Sequence, residues 1–296
     1  MKELGRLITA MVTPFDNEGQ VDYAQARKLA RALLDSGSDG ILVVGTTGES
    51  PTLTWDEEFR LFQEIKQAVE GRGTVVAGTG SNSTEEALSA TRKAAKIGVD
   101  ACLLVVPYYN KPSQEGLYQH FKTIAEGANL PCILYNVPSR TVTNLSSETV
   151  VRLSKVDNII GVKEASANLS QIADIINRAR KGFLVWSGND SDTFPIMALG
   201  GYGVISVASH LVGKQIKTMI ESLLSGDIAR AARIHIDLLP LVDSLFLVSN
   251  PCPLKYALNQ VGFQVGKPRL PLVEPDEKTA AVIRDTLKRY HIDLPF

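Results

Sequence analysis

Lys163 sits in Ile159-Ile160-Gly161-Val162-Lys163-Glu164-Ala165, a run that otherwise reads as a buried strand. Burying an ammonium group without a partner disfavours its charged form and lowers its pKa. A neutral amine is what a lysine needs to form a Schiff base with a carbonyl compound. The same position also suits a strand-end lysine whose head reaches solvent or a carboxylate. Period-2 alternation puts Gly161, Lys163 and Ala165 on one face and Val162 and Glu164 on the other. Small neighbours leave room beside the amine, and Glu164 points away from it.

Other polar residues follow apolar runs of the same kind. They are Gly45-Thr46-Thr47-Gly48-Glu49-Ser50, Pro107-Tyr108-Tyr109-Asn110, Tyr135-Asn136-Val137-Pro138-Ser139-Arg140 and Ser187-Gly188-Asn189-Asp190. The segment from Gly45 to Ser50 suits an anion held by backbone N–H groups, with two hydroxyls for a carboxylate or a proton relay; it equally suits a tight turn. Gly78-Thr79-Gly80 lacks the third glycine of a dinucleotide fingerprint and reads as a turn. His120, His210, His235 and His291 are scattered without ligand spacing, so no metal site is expected. No Gly-x-Ser-x-Gly elbow occurs.

The elements that must position these groups are eight apolar, β-branched runs: Leu7–Phe15, Gly40–Gly45, Thr74–Gly80, Ala101–Pro107, Cys132–Pro138, Ile159–Ala165, Phe183–Asn189 and Gly203–Ser209. Amphipathic stretches of helical period separate them, such as Tyr23–Asp35. Thr54-Trp55-Asp56-Glu57 and Ser83-Thr84-Glu85-Glu86 read as capping boxes. Eight strand–helix units recurring at about 25–30 residues require a parallel sheet, and their number matches a (β/α)8 barrel. In that fold the chemistry lies at the C-terminal ends of the strands, where the polar residues gather. After Asp227 the strand pattern stops, and Ile228–Val248, Pro251–Val261 and Asp276–Tyr290 read as helices. A barrel over residues 1–226 with a helical extension over 227–296 is expected.

The 296 residues are 44% hydrophobic and 21% charged, with a net charge of -1. Neither a nucleic-acid nor a membrane partner is indicated. The charged N-terminus has no signal-peptide pattern, and no apolar run approaches the ~20 residues of a membrane span. Cys102, Cys132 and Cys252 are odd in number and far apart, as reduced core thiols would be. A cytoplasmic protein fits.

The glycine–threonine run at 45–49, the tyrosine of Leu134-Tyr135-Asn136-Val137-Pro138 and the lysine of Gly161-Val162-Lys163-Glu164 together resemble the pyruvate-dependent class I aldolase group. The group includes the dihydrodipicolinate synthases and the N-acetylneuraminate lyases, and the resemblance spans essentially the whole chain. It is closer to the synthase branch. Arg140 resembles the arginine that binds the carboxylate of the aldehyde substrate, and Tyr109 the tyrosine that crosses a dimer interface into the neighbouring site. The resemblance implies condensation of pyruvate with L-aspartate 4-semialdehyde through an imine on Lys163, with no external cofactor. It implies proton transfer by Tyr135 through a relay of Thr46 and Tyr109, and a pyruvate carboxylate held by Thr47. It also implies backbone contacts at Gly188 and Ile205.

Relatives of this group are often homotetramers that bind L-lysine at the tight-dimer interface. The matching positions are Ser50, Pro51, Leu53, Trp55, Glu58, Asn82, Glu86 and Tyr108. Trp55 and Glu58 share a helix face, and many bacterial relatives carry histidines there. Glu58 could pair with a lysine ammonium, or simply favour the helix dipole from its first turn. Feedback inhibition by L-lysine is the expectation. Two other readings stay open. One is a lyase for N-acetylneuraminate or a 2-keto-3-deoxy sugar acid, against which Arg140 argues. The other is a non-catalytic, ligand-sensing barrel.

Overall fold

A computed structural model describes residues 3–295. Strands and helices alternate: β1 (Leu7–Ala10), α1 (Tyr23–Asp35), β2 (Gly40–Val43), α2 (Trp55–Val69), β3 (Thr74–Gly78), α3 (Thr84–Ile97), β4 (Ala101–Val105) and α4 (Gln114–Gly127). Then come β5 (Cys132–Asn136), the short helices α5 (Pro138–Thr141) and α6 (Ser147–Leu153), β6 (Ile159–Glu164) and α7 (Leu169–Arg178). β7 (Leu184–Ser187), α8 (Thr193–Ala198), β8 (Gly203–Ser206) and α9 (Ser209–Leu224) complete the alternation. The strands hydrogen-bond in chain order into one closed barrel. This is the (β/α)8 architecture expected from eight strand–helix units. The chain continues through α10 (Ile228–Ser244), α11 (Cys252–Gln260) and α12 (Glu277–Leu287). Among the described residues, no helix is long and apolar enough to cross a membrane.

The strands are buried nearly throughout, which explains their continuous apolar runs. Helix starts follow their caps. Asp22 accepts from the Gln25 N–H to open α1. Thr54 and Glu57 satisfy each other's backbone N–H groups at the start of α2, a complete capping box. At α3 only half of the expected box forms. Ser83 accepts from the Glu86 N–H, but the Glu86 carboxylate takes the Ser81 hydroxyl instead, at 2.7 Å.

All eight strands end earlier than their sequence patterns suggest, and β1, β8 and β5 show why. β1 stops at Ala10, although Met11–Thr13 stay buried; Phe15 turns away to pair antiparallel with Val21 and to donate its N–H to the Val265 carbonyl. β8 stops at Ser206 because Ser209 already begins α9. β5 stops at Asn136, and Pro138 opens the single turn α5, where its fixed φ and missing N–H suit the first helical position.

The packing groups the chain into two compact units. One joins the stretch ending at Arg6 to Val76–Ile205, and the other joins Leu7–Val75 to everything from Ser206 onward. In the first, Trp186 is fully buried, donates its indole N–H to the Gly5 carbonyl and meets Tyr202 edge-on. Cys102 and Cys132 are register partners on β4 and β5 whose free thiols lie 3.4 Å apart. In the second unit, buried His210 accepts the Val12 N–H on Nε2, so Nδ1 carries the proton donated to the Val207 carbonyl. Burial holds its pKa down at about 4, so it is a neutral core histidine.

Candidate active site

Lys163 occupies the fifth position of β6 and is 5% exposed. Burial lowers its pKa to about 8; Asp190 opposes that shift and Arg140 adds to it. Its ammonium nitrogen lies 4.4 Å from the centre of the Tyr135 ring, and Tyr135 is its register partner on β5. One residue further along the ladder, Asn136 pairs with Glu164 on the opposite face. Glu164 accepts from the Asn136 amide at 3.0 Å, from the Ser166 N–H at 2.9 Å and from Gln171 at 3.3 Å. Asn136 in turn accepts the Leu145 N–H at 2.9 Å. Glu164 therefore secures the loop behind the strand and is turned away from the amine, as the alternation requires.

The space beside Lys163 depends on glycine. A Cβ on Gly188 would lie 2.7 Å from the Ala165 Cβ and 3.2 Å from the Lys163 Cγ. Gly188 also donates its N–H to the Glu164 carbonyl at 2.7 Å, which ties the end of β7 to β6. Ile205 is buried on β8. Arg140 is exposed on α5. Tyr109 is 90% exposed and has a left-handed φ of 75°. The Asn82 side chain donates to the Tyr108 carbonyl, and Asn110 donates to the Asn82 carbonyl, so the turn is braced although the tyrosine ring is not.

The other unit carries Thr46 and Thr47. The chain leaves β2 in a strained path: Val44 has φ 60° and Glu49 has φ 58°. A β-branched residue in the left-handed region is a true outlier, and each such residue costs about 1–3 kcal/mol. Gly48 packs against this bend, where a Cβ would come within 3.1 Å of the Val44 backbone. Thr13 donates its hydroxyl to the Gly48 carbonyl at 2.6 Å. Thr47 is buried and accepts the Asn250 amide at 2.9 Å. Glu49 is fully buried against Lys255, with 2.6 Å between the charged atoms, and also accepts the Arg269 N–H at 2.9 Å.

The candidate effector positions fall into two groups. In one, Ser50 donates to Glu58 at 2.9 Å, and the other Glu58 oxygen is buried with no hydrogen-bond partner among the described residues. Burial pushes the Glu58 carboxyl up to about 8. Trp55 is 40% exposed and stacks on Phe59; Pro51 and Leu53 flank it at the surface, exposed and half-buried respectively. In the other group, Asn82 and Tyr108 are joined as described, and Glu86 is held by Ser81.

Asn250, Lys255 and Arg269 bond to the β2 loop and escaped the reading of motifs; Asp190 lay in a polar strand-end run but was given no role, and its charge favours the Lys163 ammonium. Lys255 sits between Leu254 and Ala257 in an apolar stretch, which was a signal of burial. Among the described residues no three His, Cys, Asp or Glu side chains gather as metal ligands would.

Residues 3–290 match the model of the dihydrodipicolinate synthetase family. The chain belongs to that family. A 4-hydroxy-tetrahydrodipicolinate synthase from Dehalococcoides mccartyi is 70% identical over 295 residues, covering 100% of this chain and 99% of the relative. A crystal structure of dihydrodipicolinate synthase from Bacillus anthracis superposes with a TM-score of 0.96 at 45% identity, covering 98% of this chain and 99% of that one. The lysine-bound dihydrodipicolinate synthase of Cyanidioschyzon merolae gives 0.95 at 48% identity, over 96% and 97% of the two chains. Synthetase-family membership thus covers the barrel and the C-terminal helices alike.

Proposed function

We propose that this chain condenses pyruvate with L-aspartate 4-semialdehyde to give 4-hydroxy-tetrahydrodipicolinate, a step toward diaminopimelate and lysine. The observation that carries the reading is Lys163, buried on β6 with its pKa lowered to about 8 beside Tyr135. About one amine in ten is then neutral at pH 7, against about one in 3,000 for an ordinary lysine. The neutral amine adds to the pyruvate ketone and loses water to form a protonated imine. That cation draws electrons from the adjacent methyl group, which releases a proton to leave an enamine. The enamine carbon attacks the aldehyde, whose oxygen takes a proton and becomes the 4-hydroxyl. The substrate's own amine then displaces Lys163 and closes the ring. One water is lost overall.

Tyr135 carries the protons, with Thr46 and Tyr109 as its relay. Thr47 and its neighbouring N–H groups hold the pyruvate carboxylate. Arg140 offers a forked donor set to the aldehyde's carboxylate. Gly188 and Ile205 contribute backbone contacts near the reacting carbonyl. Tyr109 works from a second copy within a dimer-of-dimers homotetramer; its exposed ring on a braced, left-handed turn supports that placement. L-Lysine acts as an inhibitor whose ammonium pairs with the unpartnered Glu58 oxygen. The lysine bound to the Cyanidioschyzon merolae relative supports this role. Three free cysteines suit a cytoplasmic enzyme.

The test is turnover of both substrates coupled to a dihydrodipicolinate reductase, with sodium borohydride trapping in parallel. Turnover together with a reduced pyruvyl adduct on Lys163, both lost in Lys163→Ala, is expected. A trapped adduct without turnover of the semialdehyde would overturn the choice of aldehyde, and no adduct would overturn the imine.

A further inference from the structure

In the strained loop after β2 the Glu49 backbone bonds locally to Thr46 and Thr52, but its side chain is held from outside the loop. The carboxylate is fully buried, and its fixed partners come from the far end of the chain: the Lys255 ammonium on α11 and the Arg269 N–H. The Lys255 ammonium is itself fully engaged. It meets Glu49 at 2.6 Å, the Lys267 carbonyl at 3.2 Å and the Phe15 ring centre at 4.0 Å. The Arg269 guanidinium stacks on Phe15, is bound by Glu57 through both nitrogens, and donates to the Thr52 carbonyl beyond the loop. Left-handed φ values at Val44 and Glu49 persist only where the surroundings over-determine them, and here a buried charge pair completes that restraint. The Glu49 N–H also donates to the Thr46 carbonyl at 3.1 Å, so a displacement of Glu49 passes directly into the two threonines.

We propose that Lys255, with the backbone of Arg269, latches Glu49 so that the β2 loop presents Thr46 and Thr47 to pyruvate; Lys255 is a positioning residue of the reaction. The inference rests on the roles assigned above to those threonines. It gives the C-terminal helices a part in substrate binding rather than in stability alone.

The test compares Lys255→Met, Lys255→Arg and the double variant Glu49→Gln with Lys255→Met, all in the full chain. Removing both buried charges together spares the fold the unpaired carboxylate that the single variant leaves. In the double variant, an unfolding midpoint near that of the parent is expected, with KM for pyruvate raised roughly tenfold and KM for the aldehyde within about twofold. Parent-like constants for both substrates, or losses that merely track the folded fraction, would reduce the pair to a stabilising contact. If the double variant does not fold, Lys255→Arg keeps the charge while its longer fork moves Glu49, and the same split between substrates decides. Amide hydrogen exchange at residues 46–50 reads the latch without any substrate: faster exchange in the variants supports it, and unchanged exchange overturns it. Absence of a borohydride-trapped adduct in the parent would sink the imine reading, and exchange alone would then decide the latch.

Discussion

Replacing Lys163 with methionine should abolish imine formation and stabilise the fold, by an amount that depends on pH. The pKa of Lys163 falls from 10.5 to about 8 on folding. Between those values the unfolded chain binds more protons than the native one, so native stability rises with pH there. Below about pH 8 the buried ammonium costs the full difference, roughly 3 kcal/mol at about 1.36 kcal/mol per pH unit. At pH 9.5 most unfolded lysines are still charged while the native one is neutral, and roughly 1 kcal/mol remains. Methionine has similar length and no charge, so Lys163→Met escapes this penalty. Its packing contribution does not vary with pH, and the other titrating groups are common to both proteins. The diagnostic is therefore the change in advantage, about 2 kcal/mol less at pH 9.5 than at pH 6. Urea unfolding of both proteins at pH 6, 8 and 9.5 measures it. An advantage that stays constant with pH, or a loss that does not vary with it, would mean that Lys163 is not a buried amine with a lowered pKa.

The pH midpoint of pyruvate-dependent borohydride trapping should move down in Asp190→Asn and up in Arg140→Gln, because Asp190 favours the Lys163 ammonium and Arg140 opposes it; shifts of the reverse sign would refute the electrostatic account. Gly188→Ala should lower kcat by on the order of 10²-fold, because the added methyl presses on Ala165 and on the Lys163 Cγ; near-parent turnover would show that the site relaxes around it. Inhibition by L-lysine should strengthen as pH rises from 7 toward 9, because Glu58 titrates near 8 in the free protein and must ionise to pair with the ammonium. Glu58→Gln should weaken inhibition and remove that pH dependence, and a pH-independent inhibition constant in the parent would remove Glu58 from the site.

The strand-end chemistry was legible because each polar group interrupts an apolar run that has no other reason to break. Alternation alone put Lys163 on the face opposite Glu164, and the structure adds Tyr135 as its register partner. Strand ends were less legible. Alternation says nothing about where Pro138 converts the chain into a helical turn, or where the buried segment after Ala10 loses its ladder. The path of the β2 loop was not legible at all. Propensity would assign the left-handed residues to Gly45 or Gly48, yet they are Val44 and Glu49. The reason lies outside the local sequence. Thr47 and Glu49 are held by Asn250 and Lys255, 203 and 206 residues away, so long-range contacts override the local preference.

Lys163 and Lys255 show why a lowered pKa does not by itself mark a nucleophile. Burial brings both to about 8. In Lys255 the opposing influence is a hydrogen-bonded carboxylate, and a carbonyl and an aromatic face occupy the rest of its ammonium group. Deprotonating it would leave Glu49 as a buried charge with its partner neutralised, so the neutral amine is not free to react. Lys163 instead has the Tyr135 ring near its nitrogen, while Asp190 and Arg140 push its charge in opposite directions. Losing its proton relieves the burial penalty without stranding a hydrogen-bonded anion. The two lysines thus separate by what deprotonation leaves behind. Exchanging those surroundings, rather than the lysines, would exchange their reactivity.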